Sequence, residues 1–306
     1  MTYNVRYFGH GTRGLAATAR SMVAIARAIS SLDPLPDLLC LQEVETASLR
    51  ANLAHPRRSP DETQLSRLME ALHGALTAAG KEDLYEAYYF PAHRYTLTRA
   101  TNLYTTGLAI LAHRDFTIAH HNADRPADIT HRHLVRGLKQ TRISAHVRFH
   151  HRSGDAIDVF NTHLSLPTAL AREFWIGKDR MGYGKNQLAE AKKLVDFIDA
   201  ERASDRFLVV GDFNSQPASL VYQYLTEERG LSDALRAVGS EGGKWSTAGF
   251  MNLRMHLDHV FSGPGIEWLD VQDSEPFGAR RSRFHGLSDH MPLIARCRVK
   301  KHGRAA

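Results

Sequence analysis

The chain has 306 residues, 43% of them hydrophobic and 24% charged, the balance of a globule with a sizeable core rather than a fibrous, disordered or membrane-embedded chain. Its formal net charge of +6, with 18 histidines besides, favours anionic partners such as nucleic acid, phosphorylated metabolites or acidic lipid surfaces. Its longest apolar runs are far short of a bilayer span, and its two cysteines, Cys40 and Cys297, lie in apolar runs and read as buried thiols rather than as a disulfide or a zinc site.

TYNVRYF (2–8) alternates like a strand, and GHGTRG (9–14) is a glycine-rich turn without the Walker pattern. Apolar residues at helical spacing predict a helix over 15–32, and LLCLQEV (38–44) reads as a buried strand ending in polar residues. A second amphipathic helix is expected over 64–80. AYYF (87–90) and GLAILAH (107–113) read as strands around a basic loop, HRYTLTRAT. A loop dense in His, Asp and Arg follows (120–137), then a hairpin pair, TRISAHVRFH and DAIDVFNTHL. Residues 165–184 show no clean period, whereas 185–200 read as an amphipathic helix. FLVVGDFN is a strand, 218–227 and 231–238 are short helices, and LDHVFSG, IEWLDVQDSE and MPLIARCRV are late strands. Strands and helices mix throughout with no repeat and no linker. This predicts an α/β (α+β) domain of mixed sheets with outer helices over residues 1–300, and a basic tail at 301–306. Met1 leads straight into a strand with no leader pattern, so a cytoplasmic monomer is expected; a secreted protein whose leader had been removed would read the same.

Several apolar runs end in polar groups that burial would not choose. They are Asn4 in TYNV, Glu43 in LLCLQEV, Asn161 and His163 in VFNTHL, Asp212 and Asn214 in VVGDFN, and Asp258 in HLDHVF. Ser288-Asp289-His290 precedes the final strand. Asp212 and Asn214 are two apart and share a face of an extended segment. Charged groups are rarely buried unless paired or metal-bound, so this set points to a common cleft at one edge of the sheets. For Asp212 the bland alternative is an Asx-type turn before Pro217.

LQEV, GDFN and SDHMPL, in this order between TYNV and residue 293, resemble the endonuclease/exonuclease/phosphatase (deoxyribonuclease I-like) superfamily. The resemblance implies a four-layer sandwich of two packed mixed β-sheets flanked by helices. It also implies divalent-metal-dependent hydrolysis of phosphate esters by in-line attack of an activated water. Mg²⁺ is the expected ion, with Mn²⁺ or Ca²⁺ as alternatives, because carboxylate and carbonyl oxygens suit hard cations. By the same resemblance Glu43 is a metal ligand, Asn4 supports the metal or its water, and Asp289 belongs to a metal position or the layer behind it. Asp212 orients or deprotonates the attacking water and Asn214 holds water or a phosphoryl oxygen. His290 contacts the phosphate, with Asp258 favouring its imidazolium form. His163 is a second phosphate-facing histidine with Asn161 beside it, and NTHL leans away from the apurinic-site branch, which has tyrosine there. Residues 87–114 contain no Asp or Glu to pair with His163, which leaves its partner open.

Substrate choice rests on loops. Three basic stretches stand out: 91–102 with His93, Arg94 and Arg99; 120–142 with Arg125, Arg132, Arg136, Lys139 and Arg142; and 165–185 with Arg172, Lys178, Arg180 and Lys185. Arg136 and Arg142 are the candidates for substrate phosphate. With Tyr95, Trp175 and Tyr183, such loops suit a nucleic-acid backbone and stacked bases, or a phosphorylated headgroup. A nuclease is the first reading. A phosphodiesterase or phosphatase for a lipid headgroup or small phosphate ester is the alternative, and an inactive binding module the third. His131, His133, His150 and His151 read as solvated, and His259 as core or supporting.

Overall fold

The computed structural model describes residues 1–9, 19–45, 63–82, 85–98, 101–131, 141–166, 181–239, 246–250, 253–272 and 282–300. Within these, a four-stranded sheet runs in the order β1 (Thr2–Asn4), β2 (Leu38–Glu45), β4 (Thr101–His113) and β3 (Tyr85–Thr98). The second sheet runs β10 (Ser232–Asp233), β13 (Asp258–Ser262), β9 (Phe207–Asp212), β8 (Ala156–His163), β7 (Ile143–His151) and β5 (Phe116–His121), with β6 (Ala127–Asp128) also on β7. Two hairpins, β11 (Ala248–Phe250) with β12 (Leu253–Met255) and β14 (Ile266–Gln272) with β15 (Ile294–Val299), complete the strands. β1 with β2 and β8 with β9 are parallel, and the other pairs are antiparallel, so both sheets are mixed.

Strand alternation sorts side chains between layers. Cys40, Ile110, Ala145, Val147, Val159, Leu208 and Val210 form the core between the sheets. Leu39, Leu41, Ala109 and Leu111 face the other way, towards helices α1 (Ala19–Ser30) and α2 (Gln64–Ala78). Phe160, Phe207, Val209 and Phe261 face α3 (Lys185–Glu201) and α4 (Leu220–Gln223), the latter continuing as a wider π turn to Glu228. The result is helices, sheet, sheet, helices. Leu65, Leu68, Leu72 and Leu76 form the stripe that seats α2. Its first turn is closed by Thr63, whose side chain accepts from Ser66 N while Ser66 Oγ accepts from Thr63 N.

HRYTLTRAT is not a loop. β3 and β4 stay paired beyond Pro91–Gly107 as far as Thr98–Thr101, so most of the basic stretch lies in a ribbon projecting from the first sheet. β5 likewise occupies the start of the expected loop at 120–137.

At one place the two sheets meet through polar side chains. Asn161 on β8 is fully buried; its Nδ2 donates to Leu41 O at 3.1 Å and Ala109 O at 3.2 Å, and its Oδ1 accepts from Gln42 Nε2 at 2.8 Å. The register of β2 against β4 slips between Leu41 and Val44. A bulge leaves backbone groups out of the ladder, and Asn161 supplies a donor there. Glu43, inside the bulge, takes φ of +56°, a left-handed conformation uncommon for such a residue. Truncation of Asn161 would take a donor from two buried carbonyls, while the Gln42 amide keeps Thr2 Oγ1 and Cys40 O as acceptors. Asn161→Ala is therefore expected to lower unfolding free energy by about 3 kcal/mol in urea denaturation. A change of under about 1 kcal/mol would show that this cross-sheet contact is not structural.

Candidate active site

The strand ends bring the polar groups together. Asp212 closes β9; its register partners are His163 at the end of β8 and Asp258 at the start of β13. Asn4 closes β1 beside Gln42, one residue before Glu43. His290 forms an isolated bridge with Ala248 as the chain approaches β15.

Gly211 allows the close approach of β9 to β8. Its φ is +146°, and a Cβ there would stand 2.0 Å from Thr162 O. The carboxylate that follows is divided between two tasks. Asp212 Oδ1 accepts from Asn214 N at 3.0 Å, so the Asx-type turn is present. Asp212 Oδ2 faces the cleft, 3.0 Å from Asn4 Nδ2, 3.5 Å from His163 Nε2 and 3.7 Å from His290 Nε2. Asn214, at φ +48°, donates from Nδ2 to Leu164 O at 2.9 Å. Its backbone carbonyl accepts from Gln187 Nε2 of α3 at 2.7 Å.

Asn4 Nδ2 also donates to Glu43 Oε1 at 3.1 Å, while Arg6 N donates to Asn4 Oδ1 at 3.0 Å and fixes the amide's orientation. Asn4 thus joins a carboxylate from each sheet. Glu43 is the more exposed of the two acids and lies 4.0 Å from His163 Nε2. Asp289 pairs with Arg6 at 2.9 Å at the rim, and Ser288 Oγ donates to Asn4 O at 2.7 Å.

His290 Nδ1 lies 2.7 Å from Asp258 Oδ2, and the second oxygen of Asp258, also buried, has no hydrogen-bond partner among the described residues. Burial opposes charge on His290, but Asp258 and Asp212 outweigh it and raise its pKa to about 10. His163 goes the other way: burial, with the nearby charges of Arg142 and His290, holds it well below the usual histidine value. Burial, with Asp258 adding repulsion, pushes Asp212 up to about 7 against the pull of His290 and the hydrogen bonds from Asn4 and Asn214. One histidine is a cation and the other a neutral imidazole near pH 7.

The residues present fit a divalent cation. Asp212 and Asp258 bring carboxylate oxygens close together, one oxygen of Asp258 buried and orphaned, whereas His290 as an imidazolium is no metal ligand. Glu43 adds a carboxylate from the opposite sheet, so the cleft is rich in hard oxygen donors.

Of the sequence candidates, Asn4, Glu43, His163, Asp212, Asp258 and His290 come together at one cleft, with Asp289 at its rim; Asn214 stands behind Asp212, its side-chain amide nitrogen spent on Leu164 O instead of facing water or phosphate. Arg142 borders it with Glu43 and His163, and donates from Nε to Ser165 Oγ at 3.3 Å. Asn161 is placed apart from them, between the sheets, with no exposed surface to meet a phosphate. His259 is buried on the opposite face of β13 from Asp258, its Nε2 2.7 Å from Ser215 O. Arg99, Arg132, His133, Arg136, Lys139, Arg172, Trp175, Lys178 and Arg180 lie outside the described residues, as do the side chains of His93, Arg94 and Tyr95. Arg6, Gln42 and Gln187 were not picked out from sequence. Their signal was weak, since each acts by holding another residue in place.

The family model for the Endonuclease/Exonuclease/phosphatase family matches residues 1–290. A comparison with curated protein sequences returns no match. Among solved structures, the human Nocturnin catalytic domain with bound sulfate is similar at TM-score 0.58 and 19% identity, covering 94% of this chain and 90% of that one. The Bacteroides thetaiotaomicron mannosyl-6-phosphatase Bt3783 is similar at TM-score 0.62 and 18% identity, covering 97% of each chain. ANGEL2, a 2′,3′-cyclic phosphatase in complex with adenosine-2′,3′-vanadate, is similar at TM-score 0.62 and 18% identity, covering 98% of this chain and 95% of that one. At these identities the likeness establishes a shared fold.

The imidazolium of His290 should be lost as pH rises through its elevated pKa. Removing the Asp258 charge lowers that pKa, so Asp258→Asn is expected to move the alkaline limb of kcat/KM to lower pH by at least about one unit. An unmoved limb in a folded variant would separate Asp258 from the ionisation of His290.

Proposed function

The chain belongs to the endonuclease/exonuclease/phosphatase family, a divalent-metal-dependent family of phosphoester hydrolases, and from that premise we propose that it is a nuclease cleaving phosphodiester bonds by in-line attack of water. The observation that carries the hydrolytic reading is the buried row Asp258–His290–Asp212, with 2.7 Å between the first two and 3.7 Å between the last two. It sets a cation and a carboxylate of raised pKa side by side in one cleft. Phosphoryl transfer needs such positioning and charge stabilisation more than covalent chemistry.

In this reading Asp212 orients the attacking water and takes its proton, at a pKa suited to a general base near neutrality. His290 donates from Nε2 to the phosphoryl group and stabilises its developing charge. His163, neutral, offers a hydrogen bond without adding charge, and Arg142 next to it contributes the fixed positive charge. Asn214 shapes the turn that aims Asp212. Mg²⁺, held by Glu43 and buttressed by Asn4, would neutralise phosphate charge and polarise the phosphorus–oxygen bond. Asp289, through Arg6, holds the rim.

A nucleic-acid substrate is supported by the net charge of +6 and by Tyr183. That ring is 37% exposed, and its hydroxyl donates to Ala218 O at 3.1 Å on the loop that follows Asn214, a site for base stacking. A small phosphate ester is the second reading, supported by the likeness to a mannosyl-6-phosphatase. Among the described residues no helix is long and apolar enough to cross a membrane.

The deciding assay sets Mg²⁺, Mn²⁺ or EDTA against single- and double-stranded DNA, RNA, sphingomyelin, a sugar phosphate and bis-p-nitrophenyl phosphate. Nucleic-acid cleavage, abolished by EDTA and falling steeply with salt, is expected. Turnover of the sugar phosphate or lipid alone would establish the second reading, and EDTA-resistant turnover would sink the metal assignment.

His290→Ala is expected to lower kcat at least about a hundredfold. Asp212→Asn should be as damaging while leaving the melting temperature unchanged or raised above pH 7. The sign follows from the raised folded-state pKa: ionised Asp212 opposes folding at high pH, and the variant removes that charge. A marked fall in melting temperature would make Asp212 a structural residue instead.

A further inference from the structure

We propose that His120, His146 and Glu201 form a second cation site, for a borderline transition-metal ion of the zinc class, on the outer face of the second sheet where edge strand β5 meets the end of α3. The three side chains each offer a donor atom, and these lie within 4.8 Å of one another. The site uses no residue of the cleft.

The second observation is the state of His146. It is fully buried, with Nε2 2.8 Å from Asp158 Oδ1. Asp158 is an acceptor on every side: Oδ1 also takes Arg148 Nε at 2.8 Å, and Oδ2 takes Ala203 N at 2.9 Å. Asp158 thus accepts a hydrogen bond from Nε2, and in the neutral tautomer that donates it the lone pair is on Nδ1. That Nδ1 is buried with no hydrogen-bond partner among the described residues. A carboxylate fixing the tautomer while the other nitrogen stays available is the arrangement of a metal-binding histidine.

The remaining donors are uncommitted among the described residues. His120 is exposed, 5.4 Å from the His146 ring between centroids, and enters no hydrogen bond there. Glu201 uses only its backbone carbonyl, which accepts from Arg148. The guanidinium of Arg148 is the nearby positive charge, and Asp158 offsets it. The carbonyl end of α3 adds a partial negative charge. Two ligands on a tetrahedral zinc ion stand about 3.4 Å apart, so closure needs a shift of up to about 1.5 Å, which the exposed His120 side chain can supply. Two imidazoles and one carboxylate favour zinc-class ions over Mg²⁺.

The test is a Zn²⁺ titration by calorimetry of the tag-free, chelator-stripped protein, with Co²⁺ absorption as a second probe. The wild type is expected to bind one more equivalent of Zn²⁺ than His120→Ala, and that equivalent to raise the melting temperature of the wild type alone. Glu201→Gln should weaken it at least tenfold. Mg²⁺-dependent turnover should be the same in both variants, which separates this site from the cleft. His150→Ala, which removes an exposed histidine of the same strand as His146, should bind like the wild type. Equal stoichiometry and affinity in wild type and His120→Ala would overturn the proposal, as would an equal loss in His150→Ala, which would mean adventitious surface binding only.

Discussion

An amide cannot be buried between two sheets unless each of its polar atoms finds a partner, and Asn161 meets that constraint at the place where the active cleft begins. Its donors reach Leu41 O and Ala109 O, and its acceptor takes Gln42. The bulge in β2 is thereby tied to the opposite sheet. The left-handed turn at Glu43 follows from the bulge and carries that carboxylate to the mouth of the cleft. Backbone strain of this kind persists where surrounding contacts over-determine it. Asn4 makes the second crossing, joining Glu43 to Asp212. The spacing of the sheets is thus transmitted to the spacing of the carboxylates.

The electrostatics of the cleft come from the same closeness. Asp212 Oδ2 is shared by an amide and two imidazoles, all near contact distance. His163 and His290 are chemically the same group, with opposite charge states. His290 has Asp258 behind it and Asp212 before it, whereas burial, with the positive charges of Arg142 and His290, holds His163 neutral. A pair of titratable groups pushed apart by their surroundings is what assigns acid, base and neutral donor in hydrolytic sites.

Much of the architecture could be read directly from residue patterns. The leucine stripe of α2, the period of α3 and the apolar run of β9 all carried enough regularity to place those elements within a few residues. The ends of strands carried the site, because a carboxylate or imidazole closing an apolar run has few bland explanations. HRYTLTRAT and the polar strand β5 were not legible as strands. Both are held by backbone pairing at a sheet margin, and pairing with a neighbouring strand leaves no mark in the strand's own residue pattern. Asn161 sits two residues before His163 and so shares its side of an extended segment, yet it meets the opposite sheet instead of the cleft. Only the depth of each residue in the sandwich separates them.

By itself the sequence determined the inventory and its order: the acids, amides and imidazoles at strand ends, and the motifs LQEV, GDFN and SDHMPL that mark the family. Tertiary structure alone decided which amide ties the sheets and which supports the carboxylates, which histidine is charged, and that buried His146 meets His120 and Glu201. The reason is physical. Residue identity is local, whereas burial and charge state depend on neighbours brought together from 39 to 208 positions away, as Asn4 is with Glu43 and Asp212.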